Sequence, residues 1–133
     1  MTHPIDAWHE LVRTRNVRGL GALLAEDAVL HSPVVHTPQK GRAIATQYLT
    51  AALAVLANES FRYVREIRGG RDALLEFELE LAGVQVNGVD IIRWNDAGQI
   101  VDFKVMVRPL KGMQAVHQKM GELLAQMQQQ KAP

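Results

Sequence analysis

Residues 75–81 have the sequence LEFELEL, in which apolar and acidic side chains alternate strictly. A period of two places alternate side chains on opposite faces of a β-strand. We therefore predict a strand with one apolar face against a core and one acidic face in solvent. The acidic face, made of Glu76, Glu78 and Glu80, could also form a dimer contact.

Three neighbouring stretches have the same strand character, and turn residues or a proline bound them. They are residues 61–67, 89–95 and 99–108. Asn87-Gly88 is a common hairpin dipeptide. A turn there would leave too little strand after Gly83, so we interpret it as a bulge or as the start of the next strand. The four strands should form one antiparallel sheet.

The rest of the chain shows mostly helical spacing. Helices are predicted around Ile5–Val12, around Leu20–Leu24, at residues 44–57 and at residues 111–130, and a short strand at residues 28–32 ends at a proline. Residues 34–36 could extend that strand. The last helix has an apolar seam that favours helix packing, with a binding groove as the alternative; it consists of Met113, Val116, Met120, Leu123 and Met127. This order of elements predicts an α+β fold with helices on one side of the sheet.

Composition narrows the function classes. The 133 residues suit one domain, and 15 basic against 14 acidic residues leave a net charge of +1 with no basic patch for nucleic acid. The chain has no cysteine, no apolar run of membrane-spanning length and no signal-peptide pattern at Met1–Asp6. We expect a soluble, cytoplasmic protein without a nucleic-acid or membrane partner.

Two stretches resemble the SnoaL-like, nuclear-transport-factor-2-like proteins. One is LAEDAVLHSP at residues 24–33, followed by GRAI at 41–44 and Tyr48; the other is GVDIIRWNDAGQI at 88–100. The resemblance covers residues 5–108. It implies a cone-shaped, strongly bent antiparallel sheet, wrapped by the N-terminal helices around an apolar pocket. Residues 1–133 would then be a single domain, with the cone in 1–110 and an extra C-terminal helix in 111–130.

Among the enzymes related to these proteins, ketosteroid isomerase has a well-defined set of catalytic groups: a carboxylate base, a tyrosine and a protonated aspartic acid. Position by position, the protonated aspartate looks like Asp90, while the base falls on Ser32 and the tyrosine on Trp8. A supporting tyrosine is similar to Tyr48. Since one of three catalytic positions is kept, the resemblance implies that the chain is not a standard ketosteroid isomerase. SnoaL-like polyketide cyclases use an aspartate base, a role that Asp90 could take.

Asp90 lies between Val89 and Ile91, where a carboxyl group needs partners or must hold its proton. We expect it to face the pocket with a raised pKa; the alternative is a solvated carboxylate on the convex face. His31 and Ser32 should point to opposite sides of their strand, and we expect Ser32 inside. His36 could contact a ligand or transfer a proton, or be a loop histidine.

The resulting hypothesis is a protein that binds a small, largely apolar organic molecule and isomerises, cyclises or hydrates it by acid–base chemistry. Asp90, His36 and Ser32 are the candidate catalytic residues, and no cofactor or metal is expected. The expected ligand-binding residues are Trp8, His31, Tyr48, Phe77, Phe103 and Val105. The alternative is a non-catalytic ligand-binding or dimeric assembly domain. The resemblance also implies a homodimer, because the family commonly pairs through the convex face of the sheet.

Overall fold

The computed structural model describes residues 3–131. Its elements in chain order are α1 (Pro4–Thr14), a 3₁₀ turn (Val17–Gly19), α2 (Leu20–Leu23), β1 (Leu24–His31), β2 (Gln39–Lys40), α3 (Arg42–Leu56), β3 (Arg62–Arg68), β4 (Asp72–Leu81), β5 (Val84–Trp94), β6 (Ile100–Arg108) and α4 (Leu110–Lys131).

Six strands form one open sheet in the order β2-β1-β6-β5-β4-β3. The four strands predicted as an antiparallel sheet, β3 to β6, pair consecutively and antiparallel, which confirms that part of the prediction. The sheet as a whole is mixed, because β1 runs parallel to β6. The sheet is bent, and its concave face is the buried one.

The turn between β4 and β5 differs from the sequence interpretation. It consists of Ala82 and Gly83, whose φ values are 50° and 77°, between the paired residues Leu81 and Val84. Two positive φ values are typical of the type I′ turn that two-residue hairpins favour. Asn87-Gly88 is therefore neither a bulge nor a strand start, since it lies inside β5 with regular pairing.

Gly88 has a packing role within β5. A Cβ atom at this position would lie 2.6 Å from the carbonyl oxygen of Met106 and 2.9 Å from Cε1 of Phe77. The phenyl ring of Phe77 thus occupies the space above the Gly88 backbone. Close approach of a neighbouring group is a common reason for glycine inside a strand.

The first strand begins earlier than predicted. β1 starts at Leu24, where a helix was expected to continue, and its pairing with β6 shifts register between Leu24 and Val29. β2 lies in a stretch for which no strand was predicted. After His31 the chain turns, because the backbone N–H of Val34 donates to Oγ of Ser32 at 3.2 Å, so residues 34–36 do not extend β1.

Strand alternation separates the two faces of the sheet as predicted. The concave face carries buried side chains from β4, β5 and β6, among them Leu75, Phe77, Ile92 and Phe103. α1 packs into the same core through Ile5, Trp8, Leu11 and Val12. The convex face carries ion pairs between Glu78 and Arg62 and between Glu76 and Arg65.

α4 packs against α3, β5 and β6. Its start is held close to β5, because an added Cβ at Gly112 would lie 3.3 Å from both Pro109 and Val86. The predicted seam faces inward, with Val116 only 2% exposed and Met120 packed on the core. Within residues 3–131, none of the helices has the length and apolar character needed to cross a membrane.

Candidate functional site

Asp90 lies in the middle of β5 with its side chain on the concave face. It pairs with Leu75 of β4 and Val105 of β6, both of which are buried. Its side chain is 5% exposed, and among the described residues it is the one buried charged side chain. A carboxyl group in such surroundings requires a hydrogen-bonding partner or its own proton.

That partner is Tyr63 of β3. The Tyr63 hydroxyl donates to Oδ2 of Asp90 at 2.6 Å, and it accepts a hydrogen bond from Nε1 of Trp8 at 2.9 Å. Register explains the meeting, because Tyr63 pairs with Phe77, which in turn pairs with Gly88, two residues before Asp90 on the same face. The phenol ring of Tyr63 therefore lies on the same face of the sheet as Asp90, with its hydroxyl directed at the carboxyl group. The result is a chain of two hydrogen bonds from α1 to β5.

Burial dominates the electrostatics of this chain. Desolvation raises the pKa of Asp90 to about 7, and the hydrogen bond from Tyr63 opposes part of that rise. Burial and the neighbouring charge of Asp90 hold the pKa of Tyr63 well above its ordinary value. Arg93 does not compensate the charge, because it points to the opposite face and donates to Asp72 at 2.8 Å.

The side chain of Asp90 lines a small space that we call the inner cavity. Its volume is about 30 Å³. Aromatic side chains surround the carboxyl group, and apolar residues of α3 close the remaining side. The aromatic ones are Trp8, Phe61, Tyr63, Phe77 and Phe103.

A larger space, the outer cavity, adjoins the inner one between α3 and α4. It has a volume of about 140 Å³ and a mostly apolar lining. Ala52, Leu56 and Val105 line both cavities. Three side chains bring polar groups to the outer cavity: Ser32, Tyr48 and His117.

The structure brings most of the predicted site residues together. Trp8, Phe77, Phe103, Val105 and Asp90 line the inner cavity, and Ser32, Tyr48 and Val105 line the outer one. The two predicted histidines lie elsewhere. His31 contacts Oδ1 of Asp102 through Nε2 at 2.9 Å, and His36 is exposed and lines neither cavity.

Two polar residues of the site, Tyr63 and His117, were missed from the sequence. Tyr63 alternates with Phe61 in a predicted strand, which hinted that both share the buried face. His117 follows Met113 by one helical turn and adjoins Val116, so it flanks the predicted seam. Neither hint specifies a contact with Asp90 or with the cavity. Across residues 3–131, no set of three or more His, Asp or Glu side chains is arranged to bind a metal ion.

Comparisons with known proteins find one matching domain family and several similar solved structures. A model of the SnoaL-like domain family matches residues 5–103. A steroid delta-isomerase from Pseudomonas aeruginosa is similar in structure, with 40% identity, a TM-score of 0.89 and coverage of 93% of this chain and 90% of that one. An uncharacterised cystatin-like-fold protein from Silicibacter pomeroyi has 32% identity, a TM-score of 0.85 and coverage of 92% and 85%.

A more distant neighbour shares the fold alone. It is an epoxide hydrolase/cyclase-like enzyme of pyran ring formation in the polyether salinomycin, with 18% identity, a TM-score of 0.64 and coverage of 79% and 88%. Among curated proteins, none matches the chain significantly.

Proposed function

The chain belongs to the SnoaL-like domain family, and from this premise we propose that it binds a small, largely apolar organic molecule and moves a proton within it. The reaction is of the isomerase type: one carboxyl group removes a proton from the bound molecule and returns it at another atom. This proposal carries over to the chain the kind of activity named for its Pseudomonas aeruginosa neighbour.

The observation that carries the proposal is the buried carboxyl group of Asp90 beside a cavity. A pKa of about 7 leaves both protonation states available near neutral pH. A proton-transfer group is most effective when its pKa lies near the working pH. Tyr63 occupies Oδ2, so Oδ1 is the atom that takes up and releases the proton.

Trp8 and Tyr63 act on Asp90 and not on the bound molecule. The single hydroxyl proton of Tyr63 is directed to Asp90, and the indole N–H of Trp8 is directed to Tyr63. Both are positioning residues that orient the carboxyl group and stabilise its ionised form.

Ser32 is the assisting group in this proposal. Its Oγ accepts the backbone N–H groups of Val34 and Val35 at 3.2 and 3.5 Å, so its own proton is free to donate into the outer cavity. A hydroxyl there would hold a polar substituent of the bound molecule. The proposal gives His36 no step, since its side chain lies outside both cavities.

The test is the conversion of one-ring β,γ-unsaturated ketones, with 3-cyclohexen-1-one as the first probe, into their conjugated isomers, followed by ultraviolet absorbance. We expect Asp90→Asn to lower the rate by roughly 10²–10⁴-fold, the usual contribution of a general base. Asp102→Asn is the matched control, because that carboxyl group lies on β6 and contacts His31. Equal rates for the protein and for Asp90→Asn would contradict the proposal and favour a binding domain without catalysis.

A further inference from the structure

We infer that α4 restricts the bound molecule to about the size of one ring, and that Met120 of α4 and Ala52 of α3 set this limit. The inference rests on the proposed function, because it assumes that the molecule reaches Asp90. It names the size class of substrate that this chain accepts.

The first observation is that the space beside Asp90 is divided into the small inner cavity and the larger outer cavity. The inner cavity of about 30 Å³ has room for only one or two atoms beside the carboxyl group. The body of a bound molecule therefore has to lie in the outer cavity, which adjoins the inner one along Ala52, Leu56 and Val105. The reacting atoms of the molecule would reach Asp90 while its apolar ring fills the space between the helices.

The volume of the outer cavity is the second observation. At about 140 Å³ it is close to the engineered apolar cavity of about 150 Å³ that takes up benzene in another protein. One six-membered ring fills such a space. Four fused rings exceed this volume.

The third observation is how α4 is held. Val116 is 2% exposed and anchors the helix in the core, and Gly112 packs against Pro109 and Val86 at 3.3 Å from an added Cβ. One turn and two turns further along, Met120 and Leu124 line the outer cavity. Because α4 is fixed by this packing and forms one side of the outer cavity, it limits the size of the molecule that can bind.

The size limit can be measured by binding alone. Phenol, 2-naphthol and 17β-oestradiol form a series of one, two and four fused rings that all present a hydroxyl group resembling an enol. Isothermal titration calorimetry should show saturable binding of phenol, at least about tenfold weaker binding of 2-naphthol, and no binding of oestradiol, since misfit in an apolar pocket typically costs 10–200-fold.

Two variants change the cavity in opposite directions. Met120→Ala removes bulk from α4, so 2-naphthol should gain at least about tenfold relative to phenol. Ala52→Leu fills the wall shared by both cavities, so phenol should lose at least about tenfold. Ala54→Leu is the matched control, because Ala54 is an exposed alanine of α3, and it should leave phenol binding unchanged.

Three results would contradict the size limit. Oestradiol binding as tightly as phenol, absence of saturable phenol binding, or an unchanged preference in Met120→Ala would each overturn the inference. Circular dichroism checks folding, and if Ala52→Leu does not fold, Met120→Ala decides alone. These titrations need no turnover. If the protein and Asp90→Asn convert the enone at equal rates, the proposed function is overturned, and the ranking of ligands by ring number is still decided by the titrations.

Discussion

Ionisation of Asp90 has a cost to the folded state that solvent-exposed carboxyl groups do not have. Its pKa rises from 3.8 to about 7 on folding, chiefly because burial removes water from the carboxylate. A raised pKa means that the folded protein holds its proton where the unfolded chain has lost it. The contribution of the protonated Asp90 to the free energy of unfolding is therefore complete below about pH 4. It falls as the pH rises and is lost above about pH 7.

Replacing Asp90 with asparagine should remove this pH dependence. The amide oxygen can still accept from Tyr63, and no charge is created. A shift of about three pKa units corresponds to roughly 4 kcal/mol, so the stability of Asp90→Asn relative to the parent should rise by up to that amount between about pH 4 and pH 8. Urea unfolding at a series of pH values measures it, with Asp102→Asn as the control. Parallel stability curves would show that Asp90 is not buried in solution.

Replacing Tyr63 with phenylalanine should raise the pKa of Asp90 further. The Tyr63 hydroxyl lowers that pKa by hydrogen bonding to the charged form. A hydrogen bond to a charged group contributes roughly 1.5–3 kcal/mol, so we expect a rise of about one to two units. Carboxyl NMR titration gives the value directly. Tyr48→Phe is the control, since Tyr48 lines only the outer cavity, and an equal rise in both variants would contradict the role of Tyr63.

At the scale of single residues, the sequence predicted the position of Asp90 but not its partner. A carboxyl group flanked by Val89 and Ile91 in an alternating strand has two possible faces, and the resemblance favoured the buried one. Tyr63 is 27 residues away, and the contact depends on the register of β3 with β4 and of β4 with β5. Local periodicity carries no information on either.

Among the elements, β5 is packed closely at one glycine, Gly88. Gly88→Ala should destabilise the protein by roughly 1–3 kcal/mol, because the new methyl group would overlap Phe77 and the Met106 carbonyl oxygen. Gly70→Ala is the control, since no atom lies within 4 Å of its added Cβ. Denaturant midpoints should separate the two variants clearly. Similar midpoints would mean that Phe77 does not cover Gly88.

The same glycine explains why Asn87-Gly88 was wrongly interpreted as a bulge or as the start of a strand. Asn-Gly favours a turn locally, but packing of Phe77 on the sheet selects glycine here for space instead of for a positive φ. The turn lies at Ala82-Gly83, where an alanine adopts a φ of 50°. The strands with alternating patterns, β4 and β6, were predicted well, because alternation reports directly on the buried face.

For the whole molecule, we predict a homodimer that buries the convex face of the sheet. Ile67, Leu74 and Ile91 lie side by side across β3, β4 and β5, and Met106 is 51% exposed on the same face. Light scattering at micromolar concentration should give twice the mass of the chain. Ile67→Glu, at a residue 57% exposed, should shift the protein towards monomer, whereas Val35→Glu, on the loop after β1, should not. A monomeric parent protein would contradict this arrangement.

The hydrogen-bond chain from α1 to Asp90 also gives the protein an optical sensor of its own protonation. The protein contains two tryptophans, and one of them, Trp8, is linked through Tyr63 to the carboxyl group of Asp90. Trp94→Phe removes the second fluorophore, whose ring packs against His3 at 4.9 Å. The remaining indole emission should then titrate near pH 7 and lose that transition when Asp90 is also replaced by asparagine. A ligand that takes the proton of Asp90 would be seen without any label, as a change in the colour of the emitted light.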